Sequence, residues 1–193
     1  MRKQKIKKEK IIVFFIAFIM IASVFGIIFS GYTTQQDKIK YNDFSFVRKG
    51  GGWSTIVNQR EAVFNYFPTE VEDINISVAI INRLSDTPQI DMTYNFNTTN
   101  AEDIALAQYQ LFETLDFHFN TYVRVGFTEN NSYNLPIITC NDSTPYVPVL
   151  YFKESNTTQI FFNDNCIIVE AESGADFLKI KDRILYAIFG IIR

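Results

Sequence analysis

A single histidine, His118, and two cysteines, Cys140 and Cys166, are the whole supply of imidazole and thiol in this 193-residue chain. One imidazole excludes any metal or catalytic site that needs two. A Ser-His-Asp arrangement around His118 is not excluded by count, but no Gly-x-Ser-x-Gly turn exists to present a nucleophile. The cysteines lack both the Cys-x-x-Cys spacing and the basic setting that make a thiol reactive. Glycine is sparse, and its one run, Gly50-Gly51-Gly52, has no Lys-Ser/Thr behind it and opens no helix. That excludes a phosphate loop and leaves a hairpin turn. No internal repeat or low-complexity segment is present.

A surplus of basic residues is missing too, except at the start. Six of the 18 Lys and Arg and one of the 21 Asp and Glu precede Ile11, so the remainder carries 12 against 20, a net charge of about -8. An acidic domain of this kind is not expected to bind nucleic acid, which calls for a basic surface. Ile11 to Phe29 is nineteen residues without a charge or a proline. As a helix it would rise roughly 28 Å, close to the hydrocarbon thickness of a bilayer. Its core is longer than that of a cleaved signal peptide, roughly 7–15 residues, and good small-x-small cleavage sites are lacking. The basic end predicts a cytoplasmic N-terminus. Residues 1–10 are therefore read as a cytoplasmic tail, 11–32 as a transmembrane signal anchor with Tyr32 at the interface, 33–42 as a stalk, and 43–193 as one extracytoplasmic domain.

Within that domain, Phe44–Arg48, Trp53–Val57 and Ala62–Phe67 read as an antiparallel meander over 43–67. Thr69 to Glu72 has capping-box spacing, and Ser77–Leu84 reads as a short helix. Over 89–192 the pattern becomes βαβ-ββ-α. Ile90–Asn95 alternates, residues 100–117 repeat Ile104, Ala107, Leu111 and Leu115 at helical spacing, and Val123–Phe127 alternates again. Strand, helix, strand is a crossover that makes two strands parallel. Ile137–Cys140, Val147–Phe152, Gln159–Phe162 and Cys166–Glu170 read as strands. Ser173 starts a closing helix, 174–189, with Gly190 as its C-terminal glycine. The fold class expected is α/β or α+β: an N-terminal transmembrane helix plus a mixed sheet with two main amphipathic helices on one face.

Cys140 and Cys166, both beyond the apolar run, are expected to form a structural disulfide, as isolated pairs do outside the reducing cytoplasm. Asn-x-Ser/Thr sequons at Asn75, Asn97, Asn130, Asn141 and Asn156 are glycosylation candidates on the same side. Carboxylates gather at Glu70-Val71-Glu72-Asp73 and around Asp164, Glu170 and Glu172, the residue type used in glycoside hydrolysis or Ca²⁺ binding, but at no calcium-loop spacing. His118 stands near a helix C-terminus, where the helix dipole is reason enough for it. No metal or cofactor site is expected.

Cys166-Ile167-Ile168-Val169-Glu170, Asp182-Arg183-Ile184-Leu185-Tyr186 with Gly190-Ile191-Ile192, and Cys140-Asn141 followed by Pro148 to Phe152 resemble the C-terminal ends of uncharacterised single-pass envelope proteins of small-genome archaea. The resemblance covers about the last 60 residues, implies an archaeal surface protein, and supplies no catalytic residue. It does not decide whether Asp182 and Arg183 form a helix-surface pair or a buried polar latch. The order of elements is also similar to the thioredoxin-like fold, without its Cys-x-x-Cys. The functional expectation is a membrane-anchored binding or structural module whose partners are the membrane and other envelope proteins. The alternatives are an envelope hydrolase using carboxylates or His118, and an assembly or chaperone factor using a sheet edge.

Overall fold

The computed structural model describes residues 2–31 and 38–192, without the side chains of 2–9 and 27–31. The chain divides into two compact units between Asp37 and Lys38. The first is a single helix, α1 (Arg2–Gly31), in which every residue from Lys10 to Gly26 is exposed, Phe14 at 76%. Among the described residues no helix is long and apolar enough to cross a membrane. Tyr32 and residues 33–37 of the expected anchor and stalk lie outside the described residues.

The second unit opens with a four-stranded antiparallel sheet: β1 (Lys38–Tyr41), β2 (Phe44–Lys49), β3 (Gly52–Val57) and β4 (Arg60–Phe64), paired in chain order. Two-residue turns join them. Gly50 and Gly51, at φ 57° and 86°, form the second, and Asn58 and Gln59, at 50° and 66°, the third. Positive φ at both turn positions matches the twist of a hairpin, which is the job of the glycine run. β1 was expected to be stalk. Its Lys-Ile-Lys-Tyr alternation instead sets Ile39 opposite Phe46 and Tyr41 opposite Phe44, so the folded unit begins at Lys38. β4 stops at Phe64, three residues earlier than expected, because the amides of Asn65 and Tyr66 turn away to the Asp182 carboxylate at 2.8 Å each. The turn that follows, Pro68–Glu70, is capped by Glu70 accepting from the Phe67 amide at 2.7 Å. The capping carboxylate is therefore Glu70, two residues before the Glu72 that the spacing suggested.

After α2 (Val78–Ser85), whose Ser77 hydroxyl accepts from the Ile80 amide, comes a separate five-stranded mixed sheet. Its strands are β5 (Gln89–Tyr94), β6 (Tyr122–Phe127), β7 (Val149–Glu154), β8 (Gln159–Asn163) and β9 (Cys166–Ala171), in the order β6-β5-β7-β9-β8. All are parallel except β8. α3 (Ala101–Phe119) makes the crossover from β5 to β6, and α4 (Gly174–Ile188) closes the chain. The unit is α+β: the meander forms its own sheet and does not extend the mixed one.

One face of the mixed sheet, with Ile90, Met92, Leu150, Phe152, Ile167 and Val169, packs under Ile104, Leu111 and Leu115 of α3 and Phe177, Ile180 and Ile184 of α4. Phe46 and Phe64 of the meander join this core through Tyr186, which stacks on Phe64 at 4.2 Å between ring centroids. Beyond Gly190 the chain tucks Ile191 and Ile192 into the same core, the Ile191 amide donating to the Tyr186 carbonyl at 2.8 Å. The apolar C-terminus is thus a docked end.

The opposite face carries a smaller cluster of Ile138, Val149, Cys166 and Ile168. Ile137–Cys140 forms no strand. Ile137 makes one isolated bridge to Phe127, and Cys140–Asp142 is a 3-10 turn. Gly126 is the reason the segment can approach: a Cβ there would strike the Pro136 carbonyl and the Ile138 side chain. The segment then crosses the sheet, with the Thr93 hydroxyl donating to the Ile138 carbonyl at 2.8 Å. Cys140 bonded to Cys166 fixes its end, with 5.2 Å between the Cα atoms.

Candidate functional site

The disulfide is where the sequence placed it, but it joins a loop to β9 and not two strands. Beside it the buried Asp91 carboxylate takes both arms of the Arg124 guanidinium and the Gln89 amide at 2.9 Å. That face is therefore knitted together by polar contacts that the sheet itself does not supply.

His118 is consumed by packing. Its ring lies edge-on to Phe117 and Phe189, and Nε2 is 3.2 Å from the Glu61 carbonyl. Burial lowers its pKa, opposed by that backbone contact. Among the described residues no carboxylate side chain bonds it. The neighbouring Arg60 donates to the Phe117 carbonyl and lies over the Phe117 ring. Together the two residues tie the outer edge of β4 to the end of α3.

The carboxylates that gather in the sequence take separate tasks. Glu72 accepts from the Tyr41 hydroxyl at 2.8 Å, Asp164 occupies a turn at φ 53°, and Glu170 accepts from Gln159 at 2.7 Å and pairs with Lys153. The Gln159 bond holds Glu170 below the ordinary carboxylate range. Among the described residues no three His, Cys, Asp or Glu side chains gather as a metal site.

The strongest candidate for a binding site is the crevice at the carboxyl ends of β5 and β7. In open sheets with parallel strands, ligands settle where successive connections leave in opposite directions, and β5 is that point here. The crevice measures about 260 Å³ and is lined by Asn95, Asn97, Thr98, Tyr151, Lys153 and Glu154. The Glu154 carboxylate lies at the N-terminus of α3, accepting from the Asn100 amide and from the Asn100 side chain at 2.7 Å each. Hydrogen bonds from Thr98 and from Asn100 keep it below the usual carboxylate range. The protein's own anion thus fills the place that a ligand phosphate takes in nucleotide-binding folds. The Asn100 side chain makes no cap bond to α3 and serves this contact instead.

All five sequon asparagines are exposed and none lies in a strand or an α-helix. Three of them, Asn97, Asn130 and Asn156, follow β5, β6 and β7 and so ring the same carboxyl edge as the crevice.

The feature least anticipated is on α4, where Lys181, Asp182 and Arg183 are all buried, at 1%, 0% and 5% exposure. Asp182 holds the Asn65 and Tyr66 amides and the Lys181 ammonium, Lys181 Nζ donates to Asn65 Oδ1 at 2.9 Å, and Arg183 Nε donates to the Ile74 carbonyl at 2.8 Å. Of the two arrangements left open by the sequence, this is the buried latch, with Lys181 and not Arg183 as the partner of Asp182. The signal in the sequence was the run of three consecutive charges on an amphipathic helix, which spans about 200° and so overruns a narrow solvent stripe.

No protein-family model matches the chain, and no curated protein or solved structure matches it.

Proposed function

We propose that this chain is a membrane-anchored, extracytoplasmic binding or structural module of a cell envelope. The observation that carries the reading is the Cys140–Cys166 bond, a kind of crosslink that persists outside the reducing cytoplasm. It is supported by the uncharged run Ile11 to Phe29 behind a basic decapeptide, by apolar side chains exposed all round α1, and by five exposed sequons beyond it. The archaeal envelope resemblance of the C-terminal stretches belongs to the same reading. The carboxyl-edge crevice, lined by amide, hydroxyl and tyrosine groups, with its Lys153 paired to Glu170 and its helix N-terminus occupied by Glu154, suits a small neutral polar ligand such as a sugar better than a phosphate.

A hydrolase has less support, because His118 packs among aromatic rings and the acidic residues are dispersed. An edge-pairing assembly factor is disfavoured at three of the four sheet edges, which leaves β8 as the strand on which such pairing would occur. β4 is tied to α3, the end of β6 meets residues 136–138, and β1 is short and carries Lys38 and Lys40.

Protease added to intact cells should remove the domain and leave the N-terminal tail protected. Protection of the domain, or free thiols at Cys140 and Cys166 in chain isolated from its native membrane, would overturn the reading.

A further inference from the structure

We propose that Lys181 and Asn65 become joined by an intramolecular isopeptide bond, with Asp182 as the proton relay. The Lys181 side chain is 1% exposed, and its amine has two partners: the Asn65 amide oxygen at 2.9 Å and the Asp182 carboxylate. A nucleophile, an amide electrophile and a carboxylate thus meet at one point. Cγ of Asn65 lies one covalent bond beyond the oxygen that Lys181 already touches, and near-attack separations are about 3–3.5 Å. Phe64, Tyr66 and Tyr186 are the neighbours in sequence and packing, so the amine and carboxylate sit in an apolar, aromatic setting. Burial raises the pKa of Asp182 against the opposing pull of Lys181, which favours a carboxyl that can take up a proton.

The step balances without any co-reactant. The Lys181 ammonium gives one proton to the Asp182 carboxylate. The free amine attacks Cγ of Asn65 and forms the C–N bond. Asp182 returns its proton to the departing amide nitrogen as it takes one from the attacking nitrogen. The original Cγ–N bond breaks and ammonia leaves. Asn65 also lines an open cleft of about 380 Å³ between the β2–β3 turn and α3, which gives ammonia a way out.

The consequence is mechanical. The bond would fasten the end of β4 to the middle of α4, across 116 residues of sequence, and so lock the meander onto the mixed-sheet core.

The test is the intact mass of the full chain, purified in detergent from a host that does not glycosylate, reduced and denatured, with its N-terminus confirmed. The expected mass is about 17 Da below that of the sequence, the ammonia lost when an amine displaces an amide. Peptide mapping should recover the Asn65 and Lys181 peptides as one branched species. Lys181→Arg, Asn65→Ala and Asp182→Asn should each restore the sequence mass. An unreduced wild-type mass, a gain of about 1 Da from deamidation of Asn65 instead, or a loss that survives in Lys181→Arg would overturn the proposal. The wild-type measurement is decisive even if a variant does not fold.

Discussion

At the scale of single residues, the buried charges of α4 dominate. Removing Asp182 strands a buried ammonium and two backbone amides together, so Asp182→Ala should cost about 3–5 kcal/mol, read as a lower denaturation midpoint in urea. His118 gives a second prediction, and its sign follows from linkage. Burial lowers its folded pKa below the ordinary 6.5, so between those two values the unfolded chain binds more protons and stability rises with pH. Acidifying from pH 7 toward 5 should therefore destabilise the protein, and His118→Gln should flatten the profile in that window. Equal slopes for the two proteins would contradict the assignment. Glu170 works in the same sense but lower down: its depressed pKa adds stability that is lost as pH falls below the ordinary carboxylate value of 4.5.

At the scale of elements, the long connection from β6 to β7 is the least self-sufficient part. It has no strand of its own and is held by two backbone bonds to Phe127, the Thr93 hydroxyl, the disulfide and, toward its end, side-chain bonds from Arg83 and Thr87 and one from Ser143 to Asn165. Cys140→Ser with Cys166→Ser should cost about 3–4 kcal/mol on the chain-entropy account of a 26-residue loop. Limited proteolysis should then cut first within residues 128–148, while the sheets persist. Early cutting elsewhere would mean that the disulfide supports the core more directly than its position suggests. The element pattern itself was largely readable. Ile90, Met92 and Tyr94 do share the helix-facing side, and Ile104, Ala107, Leu111 and Leu115 are all buried under α4. β1 escaped because Lys38-Ile39-Lys40-Tyr41 is too polar to stand out until a partner strand is known. Ile137–Cys140 is rich in β-forming residues yet forms no strand, because Gly126 lets it approach and Phe127 and Thr93 hydrogen-bond it as a crossing strap.

At the scale of the whole molecule, Lys38 to Ile192 contains both sheets and a shared aromatic core. A fragment beginning at Lys38 should unfold in one cooperative transition with the midpoint of the full chain. A fragment beginning at Asp43 lacks β1 and the Tyr41–Glu72 bond, leaves the Phe44 and Phe46 edge uncovered, and should melt measurably lower. Circular dichroism of the two fragments distinguishes them. Equal midpoints would return residues 38–42 to the role of a linker.

Some properties belonged to the sequence alone because they depend on composition and local spacing. The apolar run and its basic flank, the helical periods of α3 and α4, the glycine turn and the shortage of imidazole need no knowledge of distant neighbours. Tertiary structure decided the rest, because long-range partners carry no local signal. It set β9 between β7 and β8, turned the only histidine into an edge clamp, and placed the Glu154 carboxylate at the helix terminus that a ligand would otherwise claim. It also brought Asn65 to Lys181 and Asp182 from the other end of the domain, a meeting that no spacing in the chain foretells.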